Sequence, residues 1–169
     1  MYFQYGNKET EYLKSKDKKL AEVIDKVGHI DRTVDTDLFS SVVHHIIGQQ
    51  ISTKAQQTIW LRMNEKYGHV TPEVIDSADA AELQPLGMTF RKAEYIKDFS
   101  HKVVSGEFSL EAVWPMSDKE AVEVLSFLKG VGVWTAEMIL LFCMQRPDIL
   151  SFGDLAISPL AWNAHGVSS

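Results

Sequence analysis

The chain has 169 residues, 45% of them hydrophobic and 24% charged, with a formal net charge of −6. That length supports one sizeable core, or two small lobes sharing one, and no apolar run is long enough to span a bilayer. Cys143 is the single cysteine, which excludes an internal disulfide framework and a four-cysteine metal or iron–sulfur site.

In chain order, residues 1–19 are polar and rich in Lys and Glu. They lack an apolar stretch followed by a small-residue cleavage site, so no signal peptide is expected and the cytoplasm is the expected location. The cluster Lys14, Lys16, Lys18 and Lys19 reads as a solvated helix face. Thr36 or Asp37 caps a helix with Phe39, Val42, Val43, Ile46 and Ile47 on one buried face, ending near Gly48. Ser52 or Thr53 starts the next, with Ile59, Trp60 and Met63 inward and Gly68 as its stop. Thr71-Pro72 is a cap followed by proline at the first helical position. Gly87 breaks the chain before a helix over 90–104. Ser117 and Glu120 form a capping box ahead of a helix over 121–128. The segment 135–144 is apolar on nearly every side, which predicts a central buried helix with Cys143 as a buried thiol. No segment alternates with the period of a strand, so the expected class is all-α.

Between the last two helices lies Leu128-Lys129-Gly130-Val131-Gly132-Val133-Trp134-Thr135. Glycines permit positive φ and close approach to the backbone. The amides at the start of the second helix, with its dipole, suit an anion such as a DNA phosphate. By itself Gly-x-Gly serves equally as a tight helix–helix turn. The net charge of −6 opposes nucleic-acid binding for the chain as a whole, but the field of one face is what matters. Arg91-Lys92 and Lys129 are the local sources of positive charge.

The stretch 128–138, followed by Arg146-Pro147-Asp148 and Phe152-Gly153-Asp154-Leu155-Ala156-Ile157, resembles the helix-hairpin-helix DNA glycosylases. Ile47-Gly48-Gln49-Gln50-Ile51-Ser52 and Gly87-Met88-Thr89-Phe90-Arg91-Lys92-Ala93 are also similar to the 3-methyladenine DNA glycosylase II branch of that family. The resemblance runs from about Lys8 to Ile157, with the hairpin at 128–136. It implies an all-α helix-hairpin-helix fold and a monofunctional glycosylase that hydrolyses alkylated purines such as 3-methyladenine out of double-stranded DNA. No cofactor is implied, beyond a monovalent cation at the hairpin backbone.

The residues carry this chemistry as follows. Asp154 matches the family's essential aspartate. A carboxylate there stabilises the positive charge that develops on the sugar, and orients or deprotonates the attacking water. Trp134 lies twenty positions before Asp154, where strand-cleaving relatives carry a Schiff-base lysine. It is expected to wall the base pocket, with core packing as the competing role. Stacking on a cationic base adds about 0.5–2 kcal/mol. Gln49 and Gln50 are expected at the DNA, at least one of them filling the gap left by a flipped base. Phe90 and Arg91 are candidates for a wedge and a phosphate contact, with a core Phe90 as the alternative. Lys129, Gly130, Val131, Gly132 and Thr135 complete the DNA-binding set. His29, His44, His45, His69, His101 and His165 show no metal-ligand spacing.

After Ile157 the family pattern stops, and residues 158–169 read as an atypical tail. Relatives continue there with a basic helical segment, and Pro159 is tolerated only within a first helical turn. Truncation, a frame shift and an incomplete gene model each account for this. The expectation is a fold lacking the usual C-terminal helical segment, monomeric if complete and prone to self-association if truncated. Three rival readings stand beside the main one: a glycosylase for oxidised or mismatched bases, a catalytically impaired DNA-binding remnant, and a helical protein-interaction domain.

Overall fold

A computed structural model describes residues 1–35 and 37–154. Within these, ten α-helices and one 3-10 turn are present. The only β pairing among the described residues is an isolated antiparallel bridge between Tyr2 and Thr33. No described helix is long and apolar enough to cross a membrane. Thr36, one of two residues expected to cap the third helix, lies outside the described residues. So do Leu155, Ala156 and Ile157 of the family motif, Pro159, and the tail 158–169.

The chain divides into two compact units. One comprises residues 1–34 with those from Leu150 onward. It holds α1 (Asn7–Lys16) and α2 (Lys18–Val27), neither of which buries a residue. Asp17 joins them, and its carboxylate accepts the N–H groups of Lys19 and Leu20 at 2.8 and 3.1 Å. Lys14 bridges Glu11 and Asp25 and is half-buried by them, while Lys16, Lys18 and Lys19 are exposed; the cluster expected to be one solvated helix face is divided between two helices by Asp17.

The second unit is Asp35–Ile149 and carries the core. Its helices begin where side-chain caps place them. Asp37 caps α3 (Leu38–Gly48), Ser52 caps α4 (Thr53–Tyr67), and Thr71 caps α5 (Pro72–Ser77). Asp79 caps α6 (Ala80–Leu83), and a 3-10 turn (Gln84–Leu86) then ends at Gly87 with φ +120°. Thr89 caps α7 (Phe90–Val104), and Ser109 caps the short α8 (Leu110–Val113). The Ser117–Glu120 capping box opens α9 (Asp118–Ser126). The last helix, α10 (Val133–Phe142), starts two residues earlier than the apolar pattern suggested and also ends two residues earlier. Its first turn includes exposed Val133 and Trp134, so apolarity alone misplaces its start.

Helices α3, α7, α9 and α10 meet through Val42, Val43, Ile46, Ile47, Ile96, Phe99, Leu125, Ile139 and Leu140, all fully buried or nearly so. Phe39 and Phe99 stack at 5.2 Å between α3 and α7. Each such side chain contributes about 1.5–3 kcal/mol by leaving water. This packing fixes the ends of α3, α7 and α10, where the loops emerge. Arg146 adds a tether, donating to Asp118 Oδ1 and to the carbonyls of Trp114 and Met116.

Candidate nucleic-acid interface

Three loops of the second unit meet around an open cleft of about 490 Å³. They are the segment after α3 (Gln49, Gln50, Ile51), the start of α7 (Thr89, Arg91, Lys92) and the turn Gly130-Val131-Gly132. Among the described residues no acidic side chain lines it, while Arg91 and Lys92 do. A chain of net charge −6 therefore presents a locally positive surface here.

The turn between α9 and α10 owes its shape to Gly130. Its φ is +82°, and an added Cβ would lie 2.3 Å from the ring carbon Cδ2 of Tyr95. Neither the backbone nor the space accepts another residue. Leu128 and Val131 are buried, the Val131 N–H donating to Leu128 O at 3.0 Å. Val131 thus offers the cleft its backbone rather than its side chain. Gly132 is the N-cap of α10 and has no side chain with which to cap it, while nothing lies within 4 Å of where its Cβ would be. The N-terminus of α10 consequently opens towards the cleft with its dipole unopposed by any cap.

Two glutamines expected at DNA separate in role. Gln49 donates its side-chain N–H to Gly130 O at 2.5 Å, joining the first loop to the third. Gln50 is exposed and has φ +59°. A left-handed non-glycine residue is uncommon, and such strain clusters at functional sites. Arg91 lies over the Tyr95 ring and donates Nε–H to its hydroxyl at 2.5 Å. Lys92 reaches back to α3, donating to the carbonyls of Ile47 at 2.8 Å and Gln49 at 2.6 Å. Burial pushes the Lys92 ammonium below its ordinary pKa. Tyr95 and the anchoring role of Lys92 were not legible in sequence, since both depend on contacts across more than thirty positions.

The other expected residues fall as follows. Trp134 is 45% exposed and Phe90 52% exposed, so neither is a core residue. Thr135 is buried. Lys129 points to Asp98, its ammonium 2.6 Å from Oδ1, and lines a different depression from the cleft. Asp154 belongs to the first unit, where its N–H closes a turn on Ser151 O at 3.1 Å. The residues that follow Asp154 lie outside the described residues.

For metals, no group of three His, Cys, Asp or Glu side chains gathers among the described residues. His44 pairs with Asp35, His101 with Asp76, and His45 with Ser41 O. The glycine turn offers a cation only backbone carbonyls, and those of Leu128 and Gly130 already accept hydrogen bonds. That donor set does not assign a cation. The Cys143 thiol is buried and pushed up to about 12, chiefly by desolvation, which leaves it unreactive.

The profile of the HhH-GPD superfamily of base excision DNA repair proteins matches residues 43–169. DNA-3-methyladenine glycosylase 1 of Schizosaccharomyces pombe is 29% identical over 123 residues, covering 70% of this chain and 54% of the relative. The crystal structure of a DNA-3-methyladenine glycosidase from Bacillus halodurans superposes with a TM-score of 0.83 at 30% identity, covering 98% of this chain and 77% of that one. A Schizosaccharomyces pombe 3-methyladenine DNA glycosylase solved in complex with abasic DNA gives 0.82 at 25% identity, covering 96% and 82%. The chain spans about half the length of the curated relatives it matches.

Proposed function

Given that this chain belongs to the HhH-GPD superfamily of base excision DNA repair proteins, we propose that it is a monofunctional DNA glycosylase acting on alkylated purines, 3-methyladenine first, in double-stranded DNA. The observation that carries the reading is the cleft itself. It combines an uncapped helix start behind a glycine turn, a paired arginine, and a strained, exposed glutamine.

In this reading a DNA phosphate sits against the amides at the start of α10, with Arg91 beside it. Tyr95 holds the guanidinium, so little side-chain freedom is lost on binding. Gln50 fills the gap left by the extruded nucleotide, because the Gln49 amide is already committed to Gly130. Phe90 supplies the apolar wedge at the edge of the cleft.

The chemical step needs a leaving group, a water and a stabiliser of charge on the sugar. A cationic alkylated purine leaves as a neutral base once the C1′–N bond breaks. Asp154 stabilises the oxocarbenium ion that remains and takes the proton from the water that adds to C1′. The products are the free base and an abasic site. Trp134 has no amine with which to form a Schiff base, so strand cleavage by that route is not expected. Its exposed indole stacks on the base, favouring a cationic one.

The support lies in the profile match, the 3-methyladenine glycosylases among the relatives, and the abasic-DNA complex of the Schizosaccharomyces pombe enzyme. The test is release of methylated purines from alkylated duplex DNA by wild type and Asp154→Asn, beside a duplex carrying 8-oxoguanine. The reading expects 3-methyladenine release that the variant loses. Release of 8-oxoguanine alone would transfer the substrate to oxidised bases. Binding without release of either would leave a DNA-binding remnant.

A further inference from the structure

We propose that Lys92 is a positioning residue that locks the two DNA-facing loops of the cleft in register, acting through Gln49 on the glycine turn. The proposal rests on the DNA-binding reading above.

The geometry begins with a chemical problem at the end of α3. A helix leaves its last carbonyls without intrahelical partners. Here one of them, Ile47 O, and the carbonyl of the C-cap, Gln49 O, are both met by the Lys92 ammonium. Lys92 comes from the first turn of α7, more than forty positions away. Its charge also favours the negative end of the α3 dipole. Charge-assisted hydrogen bonds of this kind are short and directional, and partial burial withdraws the ammonium from water.

The second link follows from the first. With its carbonyl fixed by Lys92, Gln49 directs its side-chain N–H onto Gly130 O. The backbone then turns into the left-handed conformation at Gln50. The loop bearing Gln50 and the turn bearing Gly130 and Gly132 are therefore joined through a single glutamine, and one lysine holds that glutamine. Lys92 itself is spent on protein carbonyls. Its role at DNA is to set the spacing between a phosphate anchor and a gap-filling side chain, which must grip one duplex together.

A direct phosphate contact and a positioning role leave different signatures. Neutralising one phosphate contributes about 0.9 to the slope of log affinity against log salt. Positioning changes the affinity and leaves that slope alone. The experiment measures binding to a short duplex carrying a stable abasic analogue, across a salt series, for wild type, Lys92→Met, Gln49→Ala and the double variant. Methionine keeps the apolar stem and removes the charge.

Each single variant is expected to raise the Kd about tenfold, the scale of one withdrawn charge-assisted link. The double variant should bind no more weakly than the weaker single, because both break one linkage. All four slopes should agree. A Lys92→Met slope shallower by about 0.9 would overturn the proposal in favour of a phosphate contact. Multiplied effects in the double variant, or an unchanged Kd in either single, would overturn it too. Should Lys92→Met not fold, Gln49→Ala alone decides by the same two readouts, Kd and slope. Wild type with no salt-dependent binding would defeat the DNA-binding reading and the proposal together. Wild-type binding that the variants leave intact defeats the proposal alone.

Discussion

The turn between α1 and α2 and the turn between α9 and α10 are built in opposite ways. Between α1 and α2 the turn is one residue, Asp17, whose carboxylate satisfies two amides of the following helix. Neither helix buries a residue, and Lys14 is partnered by the neighbouring acids Glu11 and Asp25. Between α9 and α10 the turn anchors itself in the core through Leu128 and Val131, and its N-cap is a glycine. A helix start closed by its own side chain has finished its hydrogen bonding. One begun by glycine beside a cleft lined by Arg91 and Lys92 is left for an incoming anion. On the proposed function, the filled cap marks a structural hairpin and the open one a phosphate-binding hairpin.

The largest expected effect compares two glycines of similar positive φ. Gly28 at the end of α2 has φ +74° and open space around it, whereas Gly130 has φ +82° and the Tyr95 ring against it. Gly28→Ala should cost about 1–3 kcal/mol from conformation alone. Gly130→Ala should cost about 2–5 kcal/mol, since overpacking adds to strain. Chemical denaturation of both variants checks this, and equal losses would remove the packing argument.

Next comes a substitution that makes the second hairpin resemble the first. Gly132→Asp supplies the missing cap in a position with room for it, raising stability by roughly 0.3 kcal/mol. It also puts a carboxylate where the proposed function puts a phosphate, costing about 2 kcal/mol of DNA affinity, or roughly thirtyfold in Kd. Melting and binding are read on the same sample, and the two changes should have opposite signs.

The converse change is smaller. Asp17→Ala should lose about 1 kcal/mol of stability while leaving DNA affinity where it was. A fall in affinity would mean that the first hairpin also meets DNA.

The smallest effect concerns titration inside the second unit. Burial chiefly pushes His45 below its ordinary value of 6.5, with the bond to Ser41 O and the Asp35 charge pulling upwards. The folded state therefore refuses a proton that the unfolded chain accepts. The stability this group contributes is fully present above pH 6.5 and is lost as the pH falls from there through the lower folded value. Burial pushes the Asp35 carboxyl up, but the hydrogen bond and charge of His44 outweigh it and leave it below 3.8. Its contribution is thus lost only in more acid solution. The melting temperature should decline from pH 7 to about pH 5, and less so in His45→Gln.

Much of the fold was legible because helix starts are local chemistry. Asp37, Ser52, Thr71 and Ser117 all cap helices expected near them, although the helix expected over 121–128 runs from Asp118 to Ser126, with Glu120 inside its first turn. The helix over 90–104, expected after the break at Gly87, is found with those bounds, and the structure adds Thr89 as its cap. The start of α10 was harder, because an apolar run does not say which of its residues face solvent. Val133 and Trp134 do. At the candidate interface the glycines and Arg91-Lys92 stand out in sequence, but their division of labour does not. Lys129 looks like the cation of the turn and is paired with Asp98 instead. Lys92 looks like a surface charge and binds two carbonyls of another helix terminus. Such assignments depend on which side chain reaches which loop, and no local pattern records that.

The most direct test of the contrast follows backbone amide resonances while an abasic duplex is added to the protein. The account predicts that Gly130, Gly132 and Val133 shift with the titration, and that Lys19 and Leu20, already bonded to Asp17, stay in place. Shifts confined to the α1–α2 hairpin, with the amides of the glycine turn unmoved, would contradict it.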